Sequence, residues 1–502
     1  METEDHGMGH FIGILALLWA AGIVGTAAGP LVGAGPKPNV VFILADDLGI
    51  NDLHCYGRRE HHTPNLDRLA SQGMRFVSAY CAQPICSPSR AAILTGKTPA
   101  RLHLTTYLPG RADRPSQKVL HPEIVLDLPL AEKTLADRFK EAGYVSAAIG
   151  KWHVGGRGFG PLEHGFDSYH PGRANTPPSA SEGGKGEYDL TAAAERFVEA
   201  HRDRPFLLYL AHNAPHIPYA AREDRIRNNA GAFEPVYAAV IESLDDSVGR
   251  LLAKLDALGL SANTIVVFTS DNGGLHVPEG PHPKITHNAP YRAGKGFVYE
   301  GGLRIPLLVR WPGHVAAGSV VETPVVNTDW LPTLLELAGQ PVPSGLDGVS
   351  LASFLTGRGP APRRPLFWHF PHYTNQGSRP AGAMRDGRWM LVEYYDDWKS
   401  ELYDIVADPG ERRDLAPRLP ARVTRMHASL AAWRQRVGAQ ENRPNPDFDP
   451  DGYRALYLDV DAGRFDPERA DAAAWESLWR WRKAMDAVPT RRPAKPPIPG
   501  SP

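Results

Sequence analysis

The hydrophobic positions of this 502-residue chain alternate between short apolar runs and helical stripes. Residues 40–45 are apolar at every position, as expected for a strand buried on both faces of a sheet. From Tyr237 to Leu255 the apolar side chains instead recur at helical spacing on one stripe. The same patterns predict further helices over 66–72, 130–142, 192–201 and 420–437 and further strands over 144–149, 206–210 and 264–268. This alternation predicts an α/β fold in which helices sandwich a large, mostly parallel sheet.

Four of the predicted strands end in polar residues that are capable of chemistry. Asp46 and Asp47 follow the first of these strands. The other three lead to a wider set of polar residues: Lys151, His153, His212, His216, Asp271 and Asn272. In open parallel sheets, ligands bind beyond the carboxyl ends of the strands, so we expect the functional site at that edge.

The composition restricts the class of protein. The chain has 55 Lys and Arg residues against 56 Asp and Glu residues, so no excess of basic side chains indicates binding to nucleic acid. Its 49 Gly and 47 Pro residues predict many loops, while a hydrophobic share of 42% still supports an ordered core. Three cysteines do not make a disulfide framework, and Cys55 and Cys81 could either pair or remain free.

The first 28 residues are predicted to form a signal peptide. Residues 11–28 are uncharged and rich in Leu, Ile, Ala and Trp, and small residues suited to cleavage occupy 26–29. The first ten residues are acidic where a signal peptide is usually basic, so an uncleaved membrane anchor is the alternative. Either form predicts a catalytic chain in the periplasm or outside the cell. The Pro-rich tail over 489–502 is predicted to be loose.

The segment from Cys86 to Gly96 combines a cysteine with the start of a helix. Ser87 is predicted to cap this helix, Pro88 suits its first position, and Gly96 can end it. Cys86 would then lie beside the unpaired N–H groups of the helix N-terminus, where the charge of Arg90 also favours an anion and an activated thiol. The alternative is a buried cysteine next to a capped helix.

The acidic strand ends form a candidate metal site. Three carboxylates and one amide oxygen are available there, from Asp46, Asp47, Asp271 and Asn272. Hard cations prefer such sets of oxygen ligands. The alternative for each pair is that Asp and Asn serve only as turn residues at the end of a strand.

The Cys86 segment, Cys-Ser-Pro-Ser-Arg with a later Thr-Gly, resembles the signature of the type I sulfatases of the alkaline phosphatase superfamily. The resemblance implies an alkaline phosphatase-like fold and a formylglycine residue, which a separate formylglycine-generating enzyme makes from Cys86. The hydrated aldehyde would be the nucleophile, and Arg90 would hold it. The family's metal, usually Ca²⁺ with Mg²⁺ as the alternative, would be bound by formylglycine and by four further residues: Asp46, Asp47, Asp271 and Asn272.

Further segments match the family in order along residues 38–340. In Gly-Lys-Trp-His, the resemblance implies that Lys151 binds sulfate oxygens and that His153 accepts a proton. His216 matches the position that protonates the leaving alcohol, together with Lys295. Taken singly, these side chains have another interpretation, because a lysine is often a solvated surface charge and a histidine is often a hydrogen-bonded core residue.

The resemblance implies hydrolysis of sulfate monoesters, and predicted export favours sulfated carbohydrates of the galactose or N-acetylgalactosamine type. The alternatives are a phosphate or phosphonate ester hydrolase of the same superfamily and a catalytically silent polysaccharide-binding relative. We expect a catalytic domain over 38–360 and a smaller subdomain with an antiparallel sheet over 361–488. Four histidines are candidates for contact with the sugar, the last two of them in a loop before that sheet: His103, His212, His369 and His372.

Overall fold

The computed structural model describes residues 36–173, 176–179 and 181–489, so the predicted signal peptide or anchor lies outside the described residues. The strands are β1 (Asn39–Asp46), β2 (Met74–Tyr80), β3 (Val119–Leu120), β4 (Val145–Gly150), β5 (Ser168–Pro171), β6 (Phe206–Pro215), β7 (Thr264–Ser270), β8 (Arg304–Arg310), β9 (Ser319–Val321), β10 (Val325–Val326), β11 (Leu366–Phe370), β12 (Ala381–Asp386), β13 (Trp389–Tyr394), β14 (Ser400–Asp404) and β15 (Arg443–Pro444).

Two long helices, Pro235–Ala257 and Pro420–Val437, match the segments predicted over 237–255 and 420–437 closely. In chain order the helices are α1 (Pro64–Gln72), α2 (Cys86–Thr95), α3 (Pro99–Leu102), α4 (Leu135–Glu141), α5 (Glu187–Ala200), α6 (Glu223–Asn228), α7 (Pro235–Ala257), α8 (Glu300–Leu303), α9 (Trp330–Leu337), α10 (Ala352–Leu355), α11 (Pro420–Val437), α12 (Pro450–Tyr453) and α13 (Ala472–Ala487). Within the described part of the chain, none of them has both the length and the apolar character that a membrane span requires.

A nine-stranded sheet forms the centre of the molecule. Its strand order is β10-β2-β8-β7-β1-β6-β4-β5, with β9 beside β2. The four neighbours β7, β1, β6 and β4 run parallel to one another, whereas β8 pairs antiparallel with β2 and β7. Every residue of β1, β6 and β7 is buried, as expected for strands covered on both faces. The predicted α/β fold with a mostly parallel sheet is therefore confirmed.

A second sheet lies towards the C-terminus. It is four-stranded and antiparallel, in the order β11-β12-β13-β14, and α11 packs against it. This confirms the predicted antiparallel sheet. The prediction of a loop at His369 was wrong, because His369 belongs to β11, which pairs with β12 through His369 and Gly382.

Several helix starts differ from the predictions, among them those of α4, of α2 and of α5, which begins at Glu187 rather than near residue 192. The helix predicted over 130–142 is limited to α4, because Thr134 caps it by accepting a hydrogen bond from the N–H of Asp137. Helix α2 begins at Cys86, one residue before the predicted cap at Ser87. The Ser87 hydroxyl instead accepts a hydrogen bond from the N–H of Leu108 at 3.1 Å. Cys86 therefore lies within the first turn of α2 rather than ahead of it.

The three cysteines form no disulfide. Cys81 and Cys86 are buried, and Cys55 is half-buried. Of the two outcomes that the sequence allowed for Cys55 and Cys81, the structure therefore shows the free thiols.

Candidate functional site

The chain turns sharply at the end of β1. Asp47 has a φ of +65°, a left-handed conformation that is uncommon outside glycine and typical of functional sites when it occurs. Its N–H donates to Oδ1 of Asp271, just beyond β7, at 3.1 Å. The turn brings two adjacent carboxylates to one place, because Oδ1 of Asp46 and Oδ1 of Asp47 lie 3.5 and 3.8 Å from Sγ of Cys86.

Cys86 is almost completely buried in the first turn of α2, with 2% of its surface exposed. Burial raises the pKa of its thiol well above the ordinary value, although Lys151 and Lys295 oppose that effect. The expected activation by the helix N-terminus is thus outweighed by desolvation. The unmodified thiol is a poor nucleophile in this environment.

Arg90 connects three strand ends beneath Cys86. Its Nε lies 2.8 Å from Oδ2 of Asp271, and one terminal nitrogen lies 3.5 Å from Oδ1 of Asp46. The other terminal nitrogen donates to the carbonyl of Lys151 at 3.0 Å. Because the guanidinium is fully buried and held on three sides, it supplies a fixed positive charge.

Lys151 follows β4 and pairs with Asp46, at 2.5 Å between Nζ and Oδ2. The preceding Gly150 has a φ of +101°, and a Cβ there would lie 1.9 Å from the carbonyl oxygen of Ala211. Only glycine therefore fits at the point where the chain delivers Lys151. Burial alone would raise the pKa of Asp46, but the neighbouring positive charges, that of Lys151 foremost, hold it well below the ordinary value.

Lys295 bridges Asp47 and His216. Its Nζ lies 2.7 Å from Oδ2 of Asp47 and 3.0 Å from Nε2 of His216. Burial alone would lower the pKa of Lys295, but the carboxylate of Asp47 raises it well above the ordinary value. Nδ1 of His216 contacts the carbonyl of Ile217, so Nδ1 carries the ring hydrogen and Nε2 accepts from the ammonium group.

His153 has one ring nitrogen fixed and the other free. Nε2 donates to the carbonyl of Leu108 at 3.1 Å, whereas Nδ1 is buried without a hydrogen-bond partner. Burial, with the charge of Lys151, lowers the pKa of His153 to about 3. The ring is therefore neutral near pH 7, with a lone pair on Nδ1 that can accept a proton.

The donor set at the strand ends fits a hard cation. The amide of Asn272 donates through Nδ2 to Oδ1 of Asp47 at 2.8 Å, but its Oδ1 is buried without a partner. A buried oxygen of this kind is costly unless something donates to it or coordinates it. Nearby, ligand atoms of four residues lie within 4.8 Å of one another, those of Asp46, Asp47, Cys86 and His216.

Charge also favours a cation together with an anion at this place. Three carboxylates, those of Asp46, Asp47 and Asp271, face three positive side chains in direct contacts. A divalent cation would therefore leave the cluster with a net positive charge, which an anionic ester group could balance. Burial raises the pKa of Asp271 to about 6, and the positive charge of Arg90 opposes this rise.

A cleft of about 530 Å³ opens onto the cluster. Sequence analysis missed one cation in its wall, Lys185, whose Nζ donates to the carbonyl of Pro218 at 2.7 Å. Lys185 stands in a Gly-Gly-Lys-Gly run, and such glycines next to a charged residue were the only available signal. The lining includes Asp46, Lys151, His153, Tyr169, Asn213 and His216.

Two predicted sugar contacts are buried in the structure. His369 is bonded at both ring nitrogens, to the hydroxyl of Tyr395 and to the carbonyl of Gln440, each at 2.8 Å. Nε2 of His372 lies 2.8 Å from Oγ1 of Thr105. Both rings are buried against other protein groups, and neither histidine lines the cleft.

The other two predicted sugar contacts differ from each other. His212 on β6 is fully buried, and neither of its ring nitrogens has a hydrogen-bond partner. His103 is partly exposed, has a φ of +53°, and its Nε2 lies 2.9 Å from the carbonyl of Gly438. Only His103 therefore has ring surface that solvent can reach.

The sequence matches the models of two families of known proteins. The model of the Sulfatase family matches residues 38–340, and that of the N-sulphoglucosamine sulphohydrolase C-terminal family matches residues 293–435. The chain belongs to the sulfatase family. It is a sulfuric ester hydrolase of the type I sulfatases in the alkaline phosphatase superfamily, and the first match contains every residue of the strand-end cluster.

Individual sulfatases align over most of the chain. The N-acetylgalactosamine-6-sulfatase of Canis lupus familiaris is 38% identical over 70% of this sulfatase and 72% of its own length. Arylsulfatase A of Homo sapiens is 34% identical over 75% of this chain and 83% of its own. A solved structure of Ps i-CgsB in complex with k-i-k-neocarrahexaose has 27% identity and a TM-score of 0.68, covering 89% of this chain and 98% of that one.

Proposed function

We propose that this sulfatase removes sulfate from glycans of the galactose or N-acetylgalactosamine type, with a formylglycine nucleophile made from Cys86. The observation that carries the proposal is the position of Cys86, which is buried between the carboxylates of Asp46 and Asp47. A thiol with a raised pKa is useless as a nucleophile there, whereas an oxygen nucleophile next to a hard cation suits the oxygen-rich surroundings. Relatives named N-acetylgalactosamine-6-sulfatase support the substrate class.

The modification and the metal supply what the unmodified side chains lack. After oxidation by a formylglycine-generating enzyme, the hydrated aldehyde at position 86 would offer the attacking hydroxyl. Ca²⁺, with Mg²⁺ as the alternative, would lower the pKa of that hydroxyl and neutralise charge on the sulfate. Four residues would hold the ion together with position 86: Asp46, Asp47, Asp271 and Asn272.

Fixed positive charges would bind the ester. Lys151 lines the cleft and would bind sulfate oxygens, while Arg90 below it would orient the group at position 86. Sulfate ester cleavage concentrates negative charge on the sulfuryl oxygens and on the departing alkoxide. Side chains that are already held in place stabilise this charge without having to reorganise.

Two proton positions complete the mechanism. His216 together with Lys295, whose ammonium group donates towards Nε2 of His216, would protonate the leaving oxygen: one N–H bond of this pair would break as the O–H bond of the alcohol forms, and the pair would be left with one proton fewer. On the other side, Nδ1 of His153 would accept a proton from the group at position 86 when sulfate leaves. The hydrogen bond from Nε2 to Leu108 fixes the tautomer that this role requires.

The location of the protein belongs to the same proposal. Sulfated glycans are large and lie outside the cytoplasm, which agrees with the predicted signal peptide or anchor over 1–28. Export to the periplasm or to the extracellular space would bring the sulfatase to such substrates. The predicted catalytic domain over 38–360 and C-terminal subdomain over 361–488 remain parts of this proposal.

The test compares ester classes on protein made together with a formylglycine-generating enzyme. We expect turnover of 4-nitrophenyl sulfate well above that of 4-nitrophenyl phosphate, and turnover of galactose or N-acetylgalactosamine sulfates in a panel of sulfated saccharides. A strong preference for the phosphate ester would instead support a phosphate or phosphonate hydrolase. An intact thiol at Cys86 by mass spectrometry of protein from its native host would support the silent polysaccharide-binding relative.

A further inference from the structure

One hydroxyl group joins the two turns that carry the predicted metal ligands. Ser270, the last residue of β7, is fully buried, and its Oγ accepts a hydrogen bond from the N–H of Leu48 at 3.0 Å. The same hydroxyl donates to the carbonyl of Asn272 at 2.8 Å. Leu48 directly follows Asp47, so Ser270 is bonded next to one predicted ligand and to the backbone of another.

Other contacts between the two turns involve the predicted ligand groups themselves. The N–H of Asp47 donates to Oδ1 of Asp271 at 3.1 Å, and Nδ2 of Asn272 donates to Oδ1 of Asp47 at 2.8 Å. A cation bound at this place would compete for these carboxylate oxygens, because they are also its expected ligands. The hydroxyl of Ser270 uses no ligand side chain, so its two hydrogen bonds can persist when the ion is bound.

The hydroxyl acts at the point where the paired strands end and the backbone turns. Ala45 pairs with Ser270 in the parallel ladder of β1 and β7, and two residues later Asp47 adopts its φ of +65°. Leu48 and Asn272 are fully buried. Without Oγ, the N–H of Leu48 and the carbonyl of Asn272 would each lose a hydrogen-bond partner in a place that is closed to solvent, which is destabilising. Both turns would then relax, and the side chains of Asp47 and Asn272 would shift with them.

We propose that Ser270 is a positioning residue for the metal, because it holds the turns of Asp47 and Asn272 at the spacing that one hard cation requires. The inference rests on the metal site of the proposed function and adds to that site a residue that is not itself a ligand. Removal of a partner that orients metal ligands typically weakens metal binding about 10- to 100-fold. Ser270 therefore acts on the affinity for the cation and not on proton transfer.

The test measures Ca²⁺ and Mg²⁺ binding by calorimetry on the formylglycine-containing enzyme after bound metal has been removed. Ser270→Ala should raise the Kd for the preferred ion about tenfold or more, and should raise the ion concentration for half-maximal turnover of 4-nitrophenyl sulfate in parallel. Ser270→Thr, which keeps the hydroxyl, should recover most of the affinity.

Thr269→Val is the matched control on the same strand. Thr269 is fully buried, points to the other face of the sheet, and donates its hydroxyl to the carbonyl of Pro306 at 2.8 Å. Loss of this hydroxyl should lower the stability of the metal-free protein and leave the Kd unchanged.

An unchanged Kd in folded Ser270→Ala, or an equal rise of the Kd in Thr269→Val, would overturn the positioning role. Ser270→Cys, which has a similar shape but is only a weak hydrogen-bond donor, provides the same comparison if Ser270→Ala does not fold. Metal binding that depends on Ser270 in an enzyme without sulfatase turnover would refute the proposed function alone. Sulfatase turnover combined with metal binding that does not depend on Ser270 would refute the positioning role alone.

Discussion

The edge of the central sheet and the C-terminal sheet both bury histidines, but they surround them differently. His153 lies at the central edge with Nε2 fixed by a carbonyl and Nδ1 unpartnered at the wall of the cleft. His369 lies in β11 with both nitrogens bonded to protein groups. A ring that is fixed at one nitrogen and free at the other can move a proton, whereas a ring bonded at both can only hold structure.

The largest effect expected at the central edge comes from Cys86→Ala. Loss of the nucleophile should reduce kcat for 4-nitrophenyl sulfate by about 10⁴-fold or more. Cys55→Ala is the matched control, because Cys55 is half-buried and far less enclosed, and it should retain most of the activity. A Cys86→Ser enzyme with full turnover would contradict the formylglycine nucleophile.

The comparison between the two sheets is tested directly by the same substitution in each. His153→Asn should lower kcat by about 10²- to 10⁴-fold, because a proton acceptor is lost. His369→Asn should leave kcat within a few-fold but reduce the free energy of unfolding by about 1–3 kcal/mol, because buried partners are left unsatisfied.

Steady-state kinetics and denaturant unfolding of both variants make this test. Tyr395→Phe, which removes only the hydroxyl that meets His369, should reproduce part of the stability loss and none of the kinetic loss. If His369→Asn lost activity as strongly as His153→Asn while remaining folded, the distinction between the two regions would be wrong.

Turnover at the edge of the central sheet should also require a divalent cation, whereas no such requirement is expected for the C-terminal sheet. Chelation should reduce turnover by about 100-fold or more, since the cation neutralises developing charge. Addition of Ca²⁺ or Mg²⁺ to the chelated enzyme should restore activity, and the more effective ion identifies the metal. Full activity after exhaustive chelation, verified by elemental analysis, would remove the metal from the mechanism.

The central edge was largely predictable from sequence because strand periodicity and strand ends carry its geometry. Asp46 and Asp47 directly follow the apolar run 40–45, so they have to lie at the carboxyl end of the strand that this run forms. The turn that brings the two carboxylates together could not be predicted. Asp47 has a φ of +65° there, and its N–H is held by Asp271, which follows a strand far away in the sequence.

The predicted sugar contacts were harder to predict, because the exposure of these side chains depends on packing against residues far away in the sequence. The predicted contacts His369 and His372 are covered by residues far away in sequence, such as Gln440 and Thr105. Lys185 carried only the weak signal of its flanking glycines. A loop that is not periodic does not indicate which of its side chains face a cleft.

The smallest expected effect belongs to His103, the one predicted sugar contact with accessible ring surface. Asn is the matched replacement, because it tolerates the left-handed φ of +53°. His103→Asn should reduce the free energy of unfolding by about 0.5–1.5 kcal/mol through the lost contact with Gly438, and should change kcat/KM for 4-nitrophenyl sulfate less than about twofold. Because that substrate has no sugar, a larger loss on a sulfated disaccharide than on 4-nitrophenyl sulfate would place His103 at the substrate. Equal, small changes on both would assign His103 to the support of the loop after α11, beside the buried His369.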